Sequence, residues 1–139
     1  YLIPSESMLP VLQPGDRILV NKLYYHFKDP ARGDIVVFKF PLDQRIEYIK
    51  RIIALPGEII EGKENRIFIN GVELKEEYLP PGMDFADFGP VRMGAGEYFM
   101  LGDNRRDSLD SRSWGAISRD KILGEAILIY WPIKRVARI

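Results

Sequence analysis

The sequence predicts a mainly antiparallel β domain, coiled or barrel-like, with little helix. Three observations carry this reading: short apolar runs rich in β-branched residues, turn chemistry between them, and an almost complete lack of helix signals. Arg17 to Leu23 follows the turn Pro14-Gly15-Asp16 and opens the strand set. Gly33-Asp34 precedes Ile35-Val36-Val37-Phe38, a continuous apolar run of buried-strand length. Ile46 to Ala54 is a longer strand closed by Leu55-Pro56-Gly57-Glu58. Arg66 to Ile69 and Val72 to Leu74 flank Asn70-Gly71, the strongest short-range hairpin signal. Tyr98 to Leu101 and Glu125 to Trp131 complete the strands. Ser118-Arg119-Asp120-Lys121 caps one short helical turn before Gly124. Tyr78 to Gly96, crowded with proline and glycine, reads as an irregular excursion. The whole chain, residues 1–139, is expected to form one domain, with a small hairpin-bearing insert over residues 58–97.

Composition removes several chemistries. Twenty basic residues balance twenty acidic ones, so no net field draws nucleic acid, and none is expected as a partner. The chain has no cysteine, which excludes thiol nucleophiles, disulfides and cysteine-bound zinc. His26 is the only histidine, too few for a histidine-based zinc site, and neither metal nor cofactor is expected. No apolar run approaches the ~18 residues of a membrane span. The longest, Ala126 to Trp131, meets Pro132 and then Lys134, Arg135 and Arg138. The opening Tyr1-Leu2-Ile3, without methionine, reads as a cut or processed start.

Three segments carry polar residues that a plain β fold does not require. In Pro4-Ser5-Glu6-Ser7-Met8-Leu9-Pro10 two prolines bracket two serines, and a serine on a stiff segment suits a nucleophile. Taken alone, the same segment reads more simply as an ordinary serine-rich entry loop. A hydroxyl nucleophile needs a base, and a lone His26 in an aromatic, basic stretch supports a histidine triad poorly. Lysine is the better base. Alternation places Ile46, Tyr48, Lys50, Ile52 and Ala54 on one strand face, with Glu47, Ile49, Arg51 and Ile53 on the other. Lys50 is then the only charge on its face, where desolvation lowers an ammonium pKa. A lysine works as a base only when neutral, and an unperturbed one is neutral in roughly one molecule per thousand near pH 7.4. The alternative is a lysine that snorkels from a strand edge. The third segment, Gly102 to Arg112, interleaves acids, arginines and Ser108 and Ser111 directly after a strand. It is either a solvated loop or a charge network that locks the loop and turns a serine inward.

Jointly and in order, these segments resemble type I signal peptidases (leader peptidases). The resemblance rests on Ser5-Glu6-Ser7-Met8-Leu9-Pro10, Gly33-Asp34-Ile35-Val36, Tyr48-Ile49-Lys50-Arg51 with Leu55-Pro56-Gly57-Glu58, and Gly102-Asp103-Asn104-Arg105 through Ser108-Leu109-Asp110-Ser111-Arg112. It spans nearly the whole chain. It implies a serine endopeptidase with Ser7 as nucleophile and Lys50 as base. Ser108 would hydrogen-bond and aim the Lys50 nitrogen, and the Ser7 backbone N–H with the Ser5 hydroxyl would form the oxyanion hole. Arg51, Asp103, Asp110 and Arg112 match positions that support the site through ion pairs.

The implied substrates are signal peptides of exported preproteins, cut after small residues in an Ala-x-Ala pattern. Ile3, Pro4, Met8, Tyr48 and Ile49 would line the shallow apolar pockets, with substrate added as a strand to an exposed edge. Members of the family are held in the lipid bilayer by transmembrane helices ahead of the serine box. Their catalytic domain lies on the outer, periplasmic, extracellular or thylakoid-lumenal, face. This chain is accordingly expected to be a soluble fragment of a membrane-anchored enzyme. It departs from the pattern at Val11, where threonine is common, at Arg106, where Asp or Asn is commoner, and in its short insert. A self-cleaving repressor domain shares the chemistry, but its Ala-Gly site precedes the serine, whereas Ala95-Gly96 lies far downstream of Ser7. A non-catalytic peptide-binding β module would have no use for a lysine on an apolar face.

Overall fold

A computed structural model describes residues 1–139. Its strands in chain order are β1 (Arg17–Asn21), β2 (Ile35–Phe40), β3 (Asp43–Ala54), β4 (Ile59–Lys63), β5 (Arg66–Ile69), β6 (Val72–Glu73), β7 (Phe88–Arg92), β8 (Glu97–Leu101), β9 (Ile117–Ser118), β10 (Ile122–Trp131) and β11 (Ala137–Arg138). One helical turn, α1 (Ser111–Trp114), and 3₁₀ turns at Tyr24–His26, Arg119–Lys121 and Ile133–Arg135 are the only helical pieces. The mainly β expectation holds, and so does the short turn after Ser118.

The larger sheet runs β1–β10–β2–β3–β8–β9 with antiparallel neighbours throughout. β10 gives one edge to β1 and shares the other between β2, near Gly124, and β11, at Leu128 and Ile129. The ends of this sheet do not pair with each other, so the core is coiled without being a closed barrel. β3 pairs with β2 along its length but meets β8 only at Arg51, Ile52 and Ala54. Its other edge, from Asp43 to Ile49, is therefore left open beside the N-terminal segment.

The smaller sheet, β6–β5–β4–β7, is built from residues 59–92. Asn70-Gly71 makes the expected hairpin turn, both residues adopting positive φ (51° and 81°), which glycine and asparagine tolerate best. β7 departs from the irregular excursion expected there. Phe88 fills the space that Gly62 of β4 leaves empty, since a Cβ on Gly62 would lie 2.2 Å from the Phe88 ring. Phe88 then stacks on Phe99 of β8 at 5.7 Å. Tertiary aromatic packing thus makes a strand where Gly89-Pro90 argue locally against one, and the proline is tolerated because β7 is an edge.

Ile53, Ala54, Ile60, Ile67, Met93, Phe99 and Leu101 form one buried cluster that draws on both sheets. A second cluster pins the N-terminal segment, with Ile3, Met8 and Leu12 buried against Ile18, Ile35, Ala126 and Ile129. At about 25 cal/mol per Å² of apolar surface, Ile3, Met8 and Leu12 each contribute roughly 2 kcal/mol to holding the segment in place.

Candidate active site

Ser7 lies on a segment clamped at both ends. Ile3 exchanges backbone hydrogen bonds with the Gly15–Asp16 turn, its N–H donating to Asp16 O (2.8 Å) and its O accepting from Gly15 N (2.9 Å). Met8, only 2% exposed, plugs the core one residue after Ser7, while Ser5 and Pro4 stay exposed. From the far end of the sequence, Asn104 N–H donates to Ser7 O (2.9 Å) and Asn104 Nδ2 to Glu6 O (3.1 Å).

Lys50 stands opposite Val36 in the β2–β3 ladder and is 2% exposed. Its Nζ is 2.7 Å from Ser7 Oγ and 5.6 Å from the Tyr48 ring centroid, and it makes no ion pair. Burial pushes its pKa down to about 8; Asp110 and Asp103 oppose the fall, and the Arg112 charge assists it. That raises the neutral fraction near pH 7.4 from roughly one in a thousand to about one in five. Ser5 Oγ sits 3.2 Å from Ser7 Oγ and accepts from Ser7 N–H at 3.5 Å. The Ser7 hydroxyl, the Lys50 amine and two further donors, Ser7 N–H and Ser5 O–H, thus occupy one small volume. Of the expected apolar face, Tyr48, Ile52 and Ala54 flank Lys50 as read, whereas Ile46 is 43% exposed at the open edge.

The segment from Gly102 to Arg112 is a locked network and not a solvated loop. Arg51 grips Asp103 with two hydrogen bonds (2.8 and 2.7 Å) and donates a third to Gly33 O (2.9 Å). Arg112 grips Asp110 in the same way (2.9 and 2.8 Å), and Asp110 also accepts from Gly102 N (3.0 Å) and caps α1 through Arg112 N (3.1 Å). Ser111 turns inward, its Oγ accepting from Met100 N at 2.9 Å. Arg106 points outward, donating to Gly82 O from an exposed position.

Ser108 departs from its expected role in this state. Its Oγ is buried beside the dyad, yet it forms no hydrogen bond, so the anticipated bond to Lys50 is not made. Lys50 spends its one hydrogen bond on Ser7. Gly102 explains how close Ser108 comes. A Cβ there would lie 2.0 Å from Ser108 Oγ and 2.6 Å from Ser7 O, so only glycine lets the two segments converge. Residue type does not advertise Gly102 or Asn104 as functional positions, since one acts through an absent side chain and the other by bonding backbone carbonyls.

The dyad sits where two hollows meet. A cleft of about 280 Å³ is lined by Ile3, Pro4, Met8, Tyr48 and Ile49 together with Leu2 and Ile46, so the residues expected to form substrate pockets share one apolar trough beside Ser7. A polar hollow of about 240 Å³ on the other side holds Ser5, Glu6, Ser7, Lys50 and Ser108. A larger hollow of about 500 Å³ lies between β5 and residues 79–83, and it contains no nucleophile and base in contact. His26 lines a separate depression and stays exposed.

Residues 1–131 match the family described as signal peptidase, peptidase S26. The chain is 41% identical over 145 residues to a signal peptidase I of Leptolyngbya laminosa, covering 99% of this chain and 70% of that protein. It is 42% identical over 142 residues to a probable signal peptidase I-2 of Synechocystis, covering 96% of this chain and 63% of that one. A solved signal peptidase I from Enterococcus faecalis superposes with a TM-score of 0.63 at 34% identity, over 70% of this chain and 97% of the other. With four boxes in order, the sheet arrangement and these similarities in agreement, the chain belongs to the signal peptidase family, peptidase S26.

Proposed function

We propose that this chain is a serine endopeptidase that removes signal peptides from exported preproteins, cutting after small residues with Ser7 as nucleophile and Lys50 as general base. The observation that carries it is the 2.7 Å contact between Ser7 Oγ and a buried lysine without a counterion. When Lys50 is neutral the bond reverses direction, and Ser7 O–H donates to the Nζ lone pair. Oγ attacks the scissile carbonyl as its proton passes to Nζ, and the resulting ammonium protonates the departing amine. Water, deprotonated by the same nitrogen, then hydrolyses the acyl ester and frees Ser7. The Ser7 N–H and Ser5 O–H serve the tetrahedral oxyanion, a contribution typically worth about 100- to 1000-fold per donor. Ser108 would aim Lys50 once substrate draws the Ser7 proton network into its working geometry.

The apolar trough supports the choice of small side chains, and the open edge of β3 from Asp43 to Ile49 offers backbone partners for an extended peptide. Residues 1–139 act as one catalytic domain in this reading, supported by the apolar cluster common to both sheets. The working position is the outer face of a membrane. Leu2, exposed at the cleft mouth, bridges to Arg17, which pairs with Trp131, and these exposed apolar side chains at the cleft end of the sheet would rest on lipid. No helix of the chain is long and apolar enough to cross a membrane. The test is cleavage of an Ala-x-Ala peptide in detergent from pH 6 to 10. Loss in Ser7→Ala and Lys50→Ala with retention in His26→Ala supports the dyad, and loss in a folded His26→Ala overturns it.

A further inference from the structure

Glu76 and Tyr78 belong to a stretch between the smaller sheet and the active site to which the catalytic reading assigns nothing. Arg105 is 3% exposed, inside the loop that runs from Gly102 to Arg112. Its guanidinium donates twice to Glu76 (2.9 and 2.6 Å) and once to Gly102 O (2.8 Å), while its own carbonyl accepts from Arg112 Nη1 (3.0 Å). Arg105 thus ties the beginning of the loop to its end, and Glu76 supplies the only carboxylate that it reaches. The residue before it, Asn104, is the one whose N–H holds Ser7 O. Tyr78 donates its hydroxyl to Glu76 and lays its ring against the Arg51 guanidinium, 3.7 Å from the ring centroid. Arg51 follows Lys50 in β3 and is bound to Asp103 on its other side. Two chains of contact therefore run outward from one point, one to the serine's backbone and one to the lysine's strand.

We propose that Glu76 and Tyr78 are positioning residues that hold Ser7 and Lys50 in register, Glu76 through Arg105 and Asn104 and Tyr78 through Arg51. This rests on the Ser7–Lys50 reading. The purpose follows from geometry. Ser7 and Lys50 come from different segments joined by one hydrogen bond between side chains, and a displacement of about 1 Å costs on the order of a hundredfold in rate. A bidentate pair shielded from water and a ring stacked on a guanidinium resist such a displacement better than single bonds do.

The experiment compares Tyr78→Leu, Tyr78→Phe, Glu76→Gln and the exchange Glu76→Arg with Arg105→Glu, using Ala-x-Ala peptide cleavage, with thermal unfolding of each variant. Tyr78→Leu is expected to lower kcat about 10- to 100-fold with KM within about twofold, because the trough beside Ser7 is untouched. Tyr78→Phe keeps the ring over Arg51 and is expected to retain most of kcat. Glu76→Gln is expected to lower kcat in the same way, and the exchange to restore part of it. If Glu76→Gln fails to fold, Tyr78→Leu against Tyr78→Phe decides alone. The inference is overturned if folded Tyr78→Leu keeps kcat within twofold of the parent, or if the loss appears in KM. Ser7→Ala and Lys50→Ala run in parallel: cleavage that survives in either would sink the dyad itself, a separate failure from an unaffected Tyr78→Leu.

Discussion

The two faces of β3 carry neighbouring cations with opposite fates. On one face Lys50 is buried among Tyr48, Ile52 and Val36 with a serine hydroxyl as its only hydrogen-bond partner. On the other, Arg51 is also buried but holds Asp103 with two bonds and Gly33 O with a third. Lys50, buried without a counterion, loses its proton within reach of neutral pH, whereas the Arg51 guanidinium and its bidentate carboxylate fasten structure. One residue of offset on a strand is enough to separate a titrating group from a rivet.

Substitutions can break this contrast. Lys50→Met should abolish peptide cleavage, a loss of about ten-thousand-fold or more, while raising the melting temperature, because an unpaired buried ammonium is removed. Arg51→Met should do the reverse in kind. It strands Asp103, which is 0% exposed, and should destabilise the fold by about 3–5 kcal/mol in denaturant titrations.

Acidity sharpens the contrast further. Unfolded Lys50 keeps its proton to about 10.5 and the folded residue loses it near 8, so between these values the unfolded state binds more protons. Stability should therefore rise with pH across that window, by about 3 kcal/mol for a shift of this size, and the rise should vanish in Lys50→Met. The ascending limb of kcat/KM should have its midpoint near pH 8 in the parent. The smallest effect is expected at Ser108→Ala. Its hydroxyl has no partner in the resting state, so the melting temperature should hold or rise, while kcat falls about 10- to 100-fold if the hydroxyl aims Lys50.

Much of this was legible in the residues themselves. β2 is buried on both faces over Ile35 to Phe38, and its continuous apolar run declares it, while the buried end of β3 is interrupted by Lys50 and Arg51. The hairpin at Asn70-Gly71 needs only its local turn chemistry. β7 and β11 depend on distant partners, Phe99 and the far edge of β10, and no local pattern announces them. The solitary charge on an apolar strand face pointed to Lys50, yet alternation alone could not say which serine it meets. That pairing came from the order of four boxes. Ser108 shows the limit of such transfer: the position is beside Ser7 and Lys50, but the bond expected of it is not made. No local pattern marks Glu76, and Tyr78 opens the stretch that reads as irregular, because their partners are arginines far along the chain, Arg105 and Arg51.

The contacts that converge at Gly102 also bear on when the protein becomes dangerous. Asp103 reaches Met8 across 95 positions of sequence and Asn104 reaches Glu6 across 98. Contacts this distant are among the slowest to form. A chain still folding, with its hairpins made but its two termini apart, has a serine without a base-aligned backbone and a lysine still wet and protonated. On the Ser7–Lys50 reading, hydrolytic capacity therefore depends on contacts of long sequence separation, and a molecule that has not yet made them is expected to leave its neighbours uncut.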